Sequence, residues 1–288
     1  MFEMPKSAAL MLQGGSLRCL FTAGVLDVMM EREITFPCVG GVSAGSLCGI
    51  NYVARQPGRT AQVNLDYVND KRYMGLESFV KNKSVFNFDF LFGELSQELL
   101  PLDYDTFYNS PQRYVAFSTD CRTGELVAHE KGVSEDILMA ARASCSIPLM
   151  SPMVEVDGRH CLDGGVASAV PVDWAIEQGY DKIVVVLTRQ KGYRKKPVGR
   201  TMLRLYQQKY RDWPLLVEAL RLLPVRYNEL HAQINRLERS GRIFVIRPRG
   251  PVQVSRVEKD VGKLKALYEE GRHMAEERLP AMLEYLNK

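Results

Sequence analysis

The chain alternates buried apolar runs with segments whose apolar residues recur at helical spacing. Residues 8–13 form an apolar run that ends in two glycines, which predicts a buried strand followed by a tight turn. Residues 20–32 have helical periodicity, residues 36–41 predict a second short strand, and residues 43–55 predict a helix of small residues. This repeated strand–turn–helix unit is typical of a parallel α/β sheet.

The rest of the chain continues the α/β pattern and then becomes mainly helical. Residues 75–110 mix Phe, Asn, Asp, Gly and Pro without periodicity, so we predict a loop or lid there. The Asp157-Gly158 turn predicts a hairpin. Further strands are predicted at 114–119, 125–130, 153–156, 160–162, 182–188 and 242–248, and further helices at 135–144, 173–178, 200–210, 213–222, 226–239 and across 256–287.

These elements predict a three-layer α/β/α fold with a mostly parallel central sheet over residues 1–190. A mainly helical, basic C-terminal extension follows over residues 191–288. Among the 288 residues, 46% are hydrophobic and 25% are charged, which excludes a disordered or fibrous chain. No apolar run approaches the roughly 20 residues that cross a bilayer. The N-terminus is predicted to be a first buried strand rather than a signal peptide.

Charge is distributed unevenly along the chain. Residues 1–188 carry 15 basic and 23 acidic side chains, whereas residues 189–249 carry 16 basic and 4 acidic ones. One interpretation is a set of helices with solvated Lys and Arg faces, and the other is peripheral contact with an anionic membrane surface. Nucleic acid is disfavoured because aromatic residues are not interleaved as stacking platforms. The sequence carries no signal for an oligomeric state.

Cysteine usage predicts neither a metal site nor disulfides. The six cysteines contain no C-x-x-C pair and no zinc spacing, and stand at positions 19, 38, 48, 121, 145 and 161. This pattern favours a reducing cytoplasm.

Two glycine-rich turns carry the candidate chemistry. Gly41-Val42-Ser43-Ala44-Gly45 matches G-x-S-x-G between a strand and a helix, a context that predicts a nucleophilic Ser43 on a sharp turn. The loop at 14–18 follows the first strand, and its backbone N–H groups are predicted to hold an oxyanion or a phosphate. A dinucleotide fingerprint is disfavoured because this loop lacks G-x-G-x-x-G spacing. The loop consists of Gly14, Gly15, Ser16, Leu17 and Arg18.

A nucleophilic serine needs a base. A Ser–acid–His order would use His231 or His273, but both lie in helical, charged stretches, where we expect surface residues. Asp163 is the stronger candidate because it follows a short strand and precedes Gly164 and Gly165, where the backbone can approach a reacting centre.

Three blocks, QGGSLRCLFTAGVLD, GVSAGS and DGG, resemble the signature motifs of the patatin-like phospholipase family. STDCRTGE at 118–125 and ARASCSIPLMSP at 141–152 also fit, and the basic remainder resembles the C-terminal extension of bacterial patatin-like hydrolases. The resemblance implies a Ser43–Asp163 dyad without a histidine, an oxyanion hole at 14–18, and no cofactor or metal. This loop departs from the family pattern at Ser16 and Cys19, where glycines are usual.

The implied activity is hydrolysis of lipid carboxyl esters through an acyl-enzyme on Ser43. Two alternatives remain open from the sequence. An acyltransferase would use the same acyl-enzyme with an alcohol or thiol in place of water, and a lipid-binding protein would have a weakened active site.

Overall fold

Within residues 4–288, which the computed structural model describes, eight strands form one mixed sheet with helices on both faces. The strands are β1 (Ala8–Leu12), β2 (Cys38–Val42), β3 (Arg113–Asp120), β4 (Leu126–Glu130), β5 (Val154–Val156), β6 (Arg159–Asp163), β7 (Lys182–Val186) and β8 (Ile243–Ile246). Their order is β5-β6-β3-β2-β1-β7-β8, with β4 also paired to β3. Neighbouring strands pair in parallel along β3-β2-β1-β7-β8. The pairs β3–β4, β3–β6 and β5–β6 are antiparallel.

The helices are α1 (Cys19–Glu31), α2 (Ala44–Val53), α3 (Arg59–Tyr67), α4 (Leu76–Asn82), α5 (Phe88–Phe90), α6 (Tyr104–Asn109), α7 (Ile137–Ser144), α8 (Val172–Glu177), α9 (Arg200–Lys209), α10 (Pro214–Arg239) and α11 (Val261–Asn287). A π-helix spans Leu91–Leu99, and 3₁₀ turns span Ser16–Arg18 and Gly164–Val166.

The central strand β1 is apolar throughout because helices cover both of its faces. Leu10 and Leu12 belong to a hydrophobic cluster that includes residues of α1, α2, α3 and α11, whereas Ala9 and Met11 belong to one that includes residues of α8 and α10. All of these strand residues are buried. The three-layer α/β/α prediction is therefore confirmed.

The prediction of an irregular loop over residues 75–110 is wrong, whereas the alternative of a lid stays a prediction. The segment contains α4, α5, the π-helix and α6, and it buries Phe88, Phe90 and Leu95 against the main core. Helices of three to nine residues are too short to show a 3.6-residue repeat, and a π-helix does not have that repeat. The sequence pattern therefore missed them.

The C-terminal part contributes directly to the sheet. β8 pairs in parallel with β7, and α11 packs on α1, where Tyr268 donates a hydrogen bond to Asp27 at 2.8 Å. α10 is one helix rather than the predicted pair, with Pro224 buried inside it. The division at residue 190 stays a prediction, and residues 1–3 of its first part lie outside the described residues.

Helices long and apolar enough to span a bilayer are absent from residues 4–288.

Candidate active site

The candidate site lies where the carboxyl ends of three parallel strands meet. The chain leaves β1 at Gln13 and Gly14, leaves β2 at Ser43, and leaves β7 before Thr188. Because β1 pairs in parallel with both β2 and β7, these ends share one edge of the sheet. Asp163 reaches the same edge from the antiparallel strand β6, which it ends. Ligands of open α/β sheets bind at such an edge.

Ser43 occupies a strained turn between β2 and α2. Its φ of 54° and ψ of −132° are unusual for a residue with a side chain, and such a conformation costs about 1–3 kcal/mol. The turn is tight enough that a Cβ on Gly41 would lie 2.5 Å from the Gly45 carbonyl oxygen, and one on Gly45 would lie 2.6 Å from that of Leu12. The two outer glycines of G-x-S-x-G are therefore required by close approach.

The structure brings Ser43 and Asp163 into direct contact. The Ser43 hydroxyl donates to Asp163 Oδ2 at 2.7 Å, and the amide of Gly165 donates to Oδ1 at 2.7 Å. The Asp163 backbone is held by the Ser146 carbonyl at 2.8 Å and the Thr119 hydroxyl at 2.9 Å. Ser43 and Asp163 are only 7% and 8% exposed. Both carboxylate oxygens are thus fixed before any substrate arrives.

Burial raises the pKa of Asp163 above its ordinary value. The hydrogen bonds from Ser43 and Gly165 oppose this rise, as do the positive charges of Arg256 and Lys195. A carboxylate with a raised pKa is a stronger proton acceptor than a free aspartate, so the arrangement favours general-base chemistry.

The glycine-rich loop packs against the Ser43 turn. A Cβ on Gly14 would lie 2.8 Å from the Ser43 Cβ and 2.9 Å from the Val42 carbonyl oxygen. Ser16, at the position where the family usually has glycine, adopts a positive φ of 49°. The loop therefore keeps a backbone conformation that favours glycine even though a serine stands there.

The loop residues do not contribute equally. The Arg18 amide donates to the Gly15 carbonyl and is already engaged. The amides of Gly14, Gly15, Ser16 and Leu17 have no hydrogen-bond acceptor among the described residues. These four amides are the donors that could hold an oxyanion. Gly164, the remaining motif glycine, has no room for a side chain beside the Phe117 carbonyl.

Ser144 and Gln13 support the site, although the sequence did not single them out. The Ser43 amide donates to the Ser144 hydroxyl at 2.8 Å, and that hydroxyl donates to the Phe117 carbonyl at 2.5 Å. Gln13 Oε1 accepts the Thr188 amide at 2.8 Å. These residues fix the Ser43 turn and join the ends of β1 and β7.

The expectation that His231 is a surface residue is wrong. It is buried on α10, where its Nε2 lies 2.8 Å from Gln13 Nε2. Burial and the nearby Arg247 and Lys195 lower the pKa of His231 to about 4, so it accepts a hydrogen bond as a neutral ring. His273 is exposed, as expected, with its Nε2 beside Glu277. Neither histidine contacts Ser43.

A second serine also has a histidine and an aspartate in line. Ser118 Oγ lies 2.8 Å from His129 Nε2, and His129 Nδ1 lies 2.8 Å from Asp157. Ser118 and His129 are both 0% exposed, however, so a substrate cannot reach this serine. The network satisfies buried polar groups between β3, β4 and the β5–β6 turn.

Two cavities meet at Ser43 and Ser16. The first is a narrow cavity of about 70 Å³, lined mainly by apolar side chains that include Leu47, Ile50 and Val63. The second is an open cleft of about 700 Å³ that contains Asp163 and the glycine-rich loop. The two cavities would fit a substrate with an apolar chain on one side of the reacting bond and a polar group on the other.

Sequence comparisons identify the class to which this fold and site belong. A family model described as "Patatin-like phospholipase" matches residues 10–176, more than half of the chain, and the chain belongs to that family. A second model, described as "Domain of unknown function (DUF6363)", matches residues 213–287.

Two curated proteins are similar to part of this chain, and the second carries the family's name. The chain is 30% identical over 190 residues to "Uncharacterized protein YjjU" of Escherichia coli (strain K12), covering 64% of this chain and 52% of that protein. It is 30% identical over 184 residues to "Patatin-like phospholipase domain-containing protein ZK370.4" of Caenorhabditis elegans, covering 57% of this chain and 12% of that protein. The chain thus spans about half the length of the first relative and far less of the second.

A solved structure shares the fold. VipD from Legionella pneumophila superposes with a TM-score of 0.52 over 96% of this chain and 67% of that chain, at 10% sequence identity.

Proposed function

We propose that the protein is a serine acyl hydrolase that cleaves lipid carboxyl esters through an acyl-enzyme on Ser43. The observation that carries this proposal is the 2.7 Å contact between the Ser43 hydroxyl and Asp163 at the junction of an apolar cavity and an open cleft. Family membership supports the reaction class. In this assignment the acyl chain occupies the narrow cavity and the alcohol part occupies the cleft.

The reaction has two stages. The Ser43 oxygen attacks the ester carbonyl carbon while its proton moves to Asp163, and collapse of the tetrahedral intermediate passes that proton to the departing alcohol. Water then attacks the acyl-enzyme, again losing its proton to Asp163, and the fatty acid leaves as Ser43 recovers a proton. The oxyanion of both intermediates accepts hydrogen bonds from amides of the glycine-rich loop, where one donor is worth about 10²–10³ in rate.

The direct test is hydrolysis of p-nitrophenyl esters of increasing chain length by the wild type and by Ser43→Ala. We expect turnover by the wild type and a loss of about 10³-fold or more in the variant, because no other group forms the acyl-enzyme. Comparable turnover by both proteins would refute the proposal. An inactive wild type that still binds lipid would instead favour the lipid-binding alternative.

Acyl transfer is distinguished by adding an alcohol acceptor to the same assay. An acyl hydrolase releases mainly free fatty acid, whereas a transferase releases mainly the new ester. The open cleft beside Ser43 admits water and an alcohol alike, so the ratio of the two products decides between the activities.

We also propose that the mouth of the cleft contacts anionic membrane surfaces. Leu149 and Met150 line both the cleft and an adjacent apolar depression that includes Phe79 and Val257, each about 40% exposed, together with the amine of Lys259. Apolar contacts flanked by cations suit an anionic bilayer surface. Vesicle sedimentation should show salt-sensitive binding to anionic vesicles, and equal binding to neutral vesicles would contradict the electrostatic part.

A further inference from the structure

The open cleft beside Ser43 is lined by cations that have no carboxylate partners. They come from three separate parts of the chain: the glycine-rich loop, the segment after β7, and the segment between β8 and α11. None of them forms an ion pair with an acidic side chain of residues 4–288. We call this set the cationic cluster, and it comprises Arg18, Arg189, Lys195, Lys196 and Arg256.

Arg18 is the innermost member. It is only 9% exposed, and its Nε has no hydrogen-bond partner among the described residues. Burial and repulsion from Arg189 and Arg256 lower the pKa of Arg18 to about 10. A buried guanidinium without an acceptor is costly, and an anionic ligand would supply the missing acceptor.

The backbone of Lys195 is fixed by hydrogen bonds to the side chain of Asn228. Its amide donates to Asn228 Oδ1 at 2.9 Å, and its carbonyl accepts from Asn228 Nδ2 at 3.0 Å, which ties the segment to α10. Its ammonium lies 4.2 Å from the centre of the Tyr227 ring. Burial and the neighbouring cations lower the pKa of Lys195 to about 8, and no hydrogen bond joins Lys195 to Ser43 or Asp163. The ammonium group therefore contributes positive charge to the cleft and makes no hydrogen bond to Ser43 or Asp163.

Arg189 is positioned in a similar way. Its Nη1 donates to the Val252 carbonyl at 3.0 Å, and its guanidinium lies 4.5 Å from the centre of the Tyr193 ring. This contact joins the segment after β7 to the segment that carries Arg256. The exposed Arg256 completes the rim.

Acidic side chains are nearly absent from the lining that the structure describes for this cleft. Asp163 is the one acidic residue among the described side chains that line it, and both of its oxygens are already hydrogen-bonded. A choline or ethanolamine ammonium group would have no free carboxylate there and would face several cations. The charge pattern thus selects for a group that carries net negative charge.

We propose that the cationic cluster is a subsite for the phosphate of a net-anionic lipid ester whose acyl carbonyl lies at Ser43. The inference rests on the proposed acyl hydrolase function and adds a substrate class to it. Arginine and lysine on three segments surround an open cleft, and a phosphate group has the acceptor oxygens to match them. Free inorganic phosphate shares this chemistry and is separated from the headgroup in the test.

The first experiment measures binding without turnover. Calorimetry of the Ser43→Ala protein with glycerol 3-phosphate, glycerol and inorganic phosphate should show binding of glycerol 3-phosphate and none of glycerol. Adding Lys195→Gln should weaken that binding at least tenfold, whereas adding Lys191→Gln, an exposed lysine four residues away, should not. Absence of glycerol 3-phosphate binding, or equal weakening by the two substitutions, overturns the proposal.

The second experiment measures selectivity during turnover. For 1-acylglycerol 3-phosphate and 1-acylglycerol with the same acyl chain, we expect a kcat/KM ratio of at least ten in the wild type. The ratio should fall at least tenfold in Lys195→Gln and Arg256→Gln and stay unchanged in Lys191→Gln and Arg194→Gln. Thermal unfolding of each variant verifies folding.

The outcomes separate the two proposals. No hydrolysis of any ester by the wild type refutes the acyl hydrolase function, while the calorimetry still reports on the subsite. Hydrolysis with a ratio near one in the wild type overturns the subsite alone. Binding of inorganic phosphate as tight as that of glycerol 3-phosphate, with a ratio near one, would make the cleft a free-phosphate site and would also overturn it.

Discussion

Replacing Asp163 by asparagine separates the chemistry of this residue from its structural role. Oδ1 accepts the Gly165 amide and Oδ2 accepts the Ser43 hydroxyl, each at 2.7 Å. In Asp163→Asn the amide oxygen keeps the Gly165 contact, so the NH₂ group faces Ser43. An NH₂ group donates and cannot accept the Ser43 proton. We therefore expect the fold to be preserved while the proposed base is removed.

The expected loss in kcat is about 10³-fold or more, in the upper half of the roughly 10²–10⁴ that a general base contributes. A factor of 10³ corresponds to about 4 kcal/mol in the activation free energy. Binding contacts in the two cavities are unchanged, so KM should change little. The measurement is steady-state hydrolysis of a p-nitrophenyl ester, with Asp66→Asn, an exposed aspartate on α3, as the matched control.

Although Asp163→Asn should lower kcat, we expect it to preserve or raise the free energy of unfolding. Because the folded protein raises the pKa of Asp163, the folded state binds this proton more tightly than the unfolded state, and the unfolding free energy falls as pH rises through the folded pKa. At neutral pH Asp163→Asn should therefore be as stable as the wild type or more stable. As pH falls below the folded pKa the difference should shrink. Urea unfolding of both proteins, at neutral pH and at a pH below the folded pKa of Asp163, measures this difference in the free energy of unfolding.

Two results would refute this reasoning. A kcat within tenfold of the wild type would show that the Ser43 proton goes elsewhere. A large loss of stability at neutral pH would show that the charged form of Asp163 holds the fold together, contrary to the direction of its pKa.

Three further substitutions test the surroundings of Ser43. Ser16→Gly should relieve about 1 kcal/mol of strain at the positive φ of this residue, less the backbone entropy that glycine loses on folding. We therefore expect kcat to be retained or raised. A tenfold loss in kcat would show that the Ser16 side chain is needed. Gly14→Ala should lower kcat about 10²-fold, because its Cβ would lie 2.8 Å from that of Ser43, and full activity would contradict the packing of the loop. Val63→Trp should shift the preferred p-nitrophenyl ester to a shorter chain by filling the apolar cavity, and an unchanged chain-length profile in a folded variant would assign the acyl chain elsewhere.

Local patterns predicted the parts of the site that depend on neighbouring residues. The G-x-S-x-G turn could be recognised because strand, turn and helix follow one another directly, and the structure shows the close approach that its glycines permit. Periodicity predicted β1, α1, β2 and α2 for the same reason. The contact of Ser43 with Asp163 spans 120 residues, so periodicity did not indicate it; the glycines that follow Asp163 and the family resemblance did.

Long-range packing decides the features that the sequence did not predict. His231 reads as a surface residue in a charged helix, but its partner Gln13 lies 218 residues away and draws it into the interior. The helices between residues 75 and 110 have no helical repeat in the sequence, and two of them, α5 and the π-helix, line the apolar cavity. The basic block was visible as a count of charges, whereas the gathering of five cations at the cleft depends on how three distant segments fold back on the sheet.

The most direct measurement is labelling with a fluorophosphonate probe, followed by mass spectrometry of the modified peptide. The account predicts one adduct, on Ser43, that disappears in Ser43→Ala and remains in Ser118→Ala. An adduct on Ser118, or labelling that persists in Ser43→Ala, would contradict the assignment of Ser43 as the nucleophile.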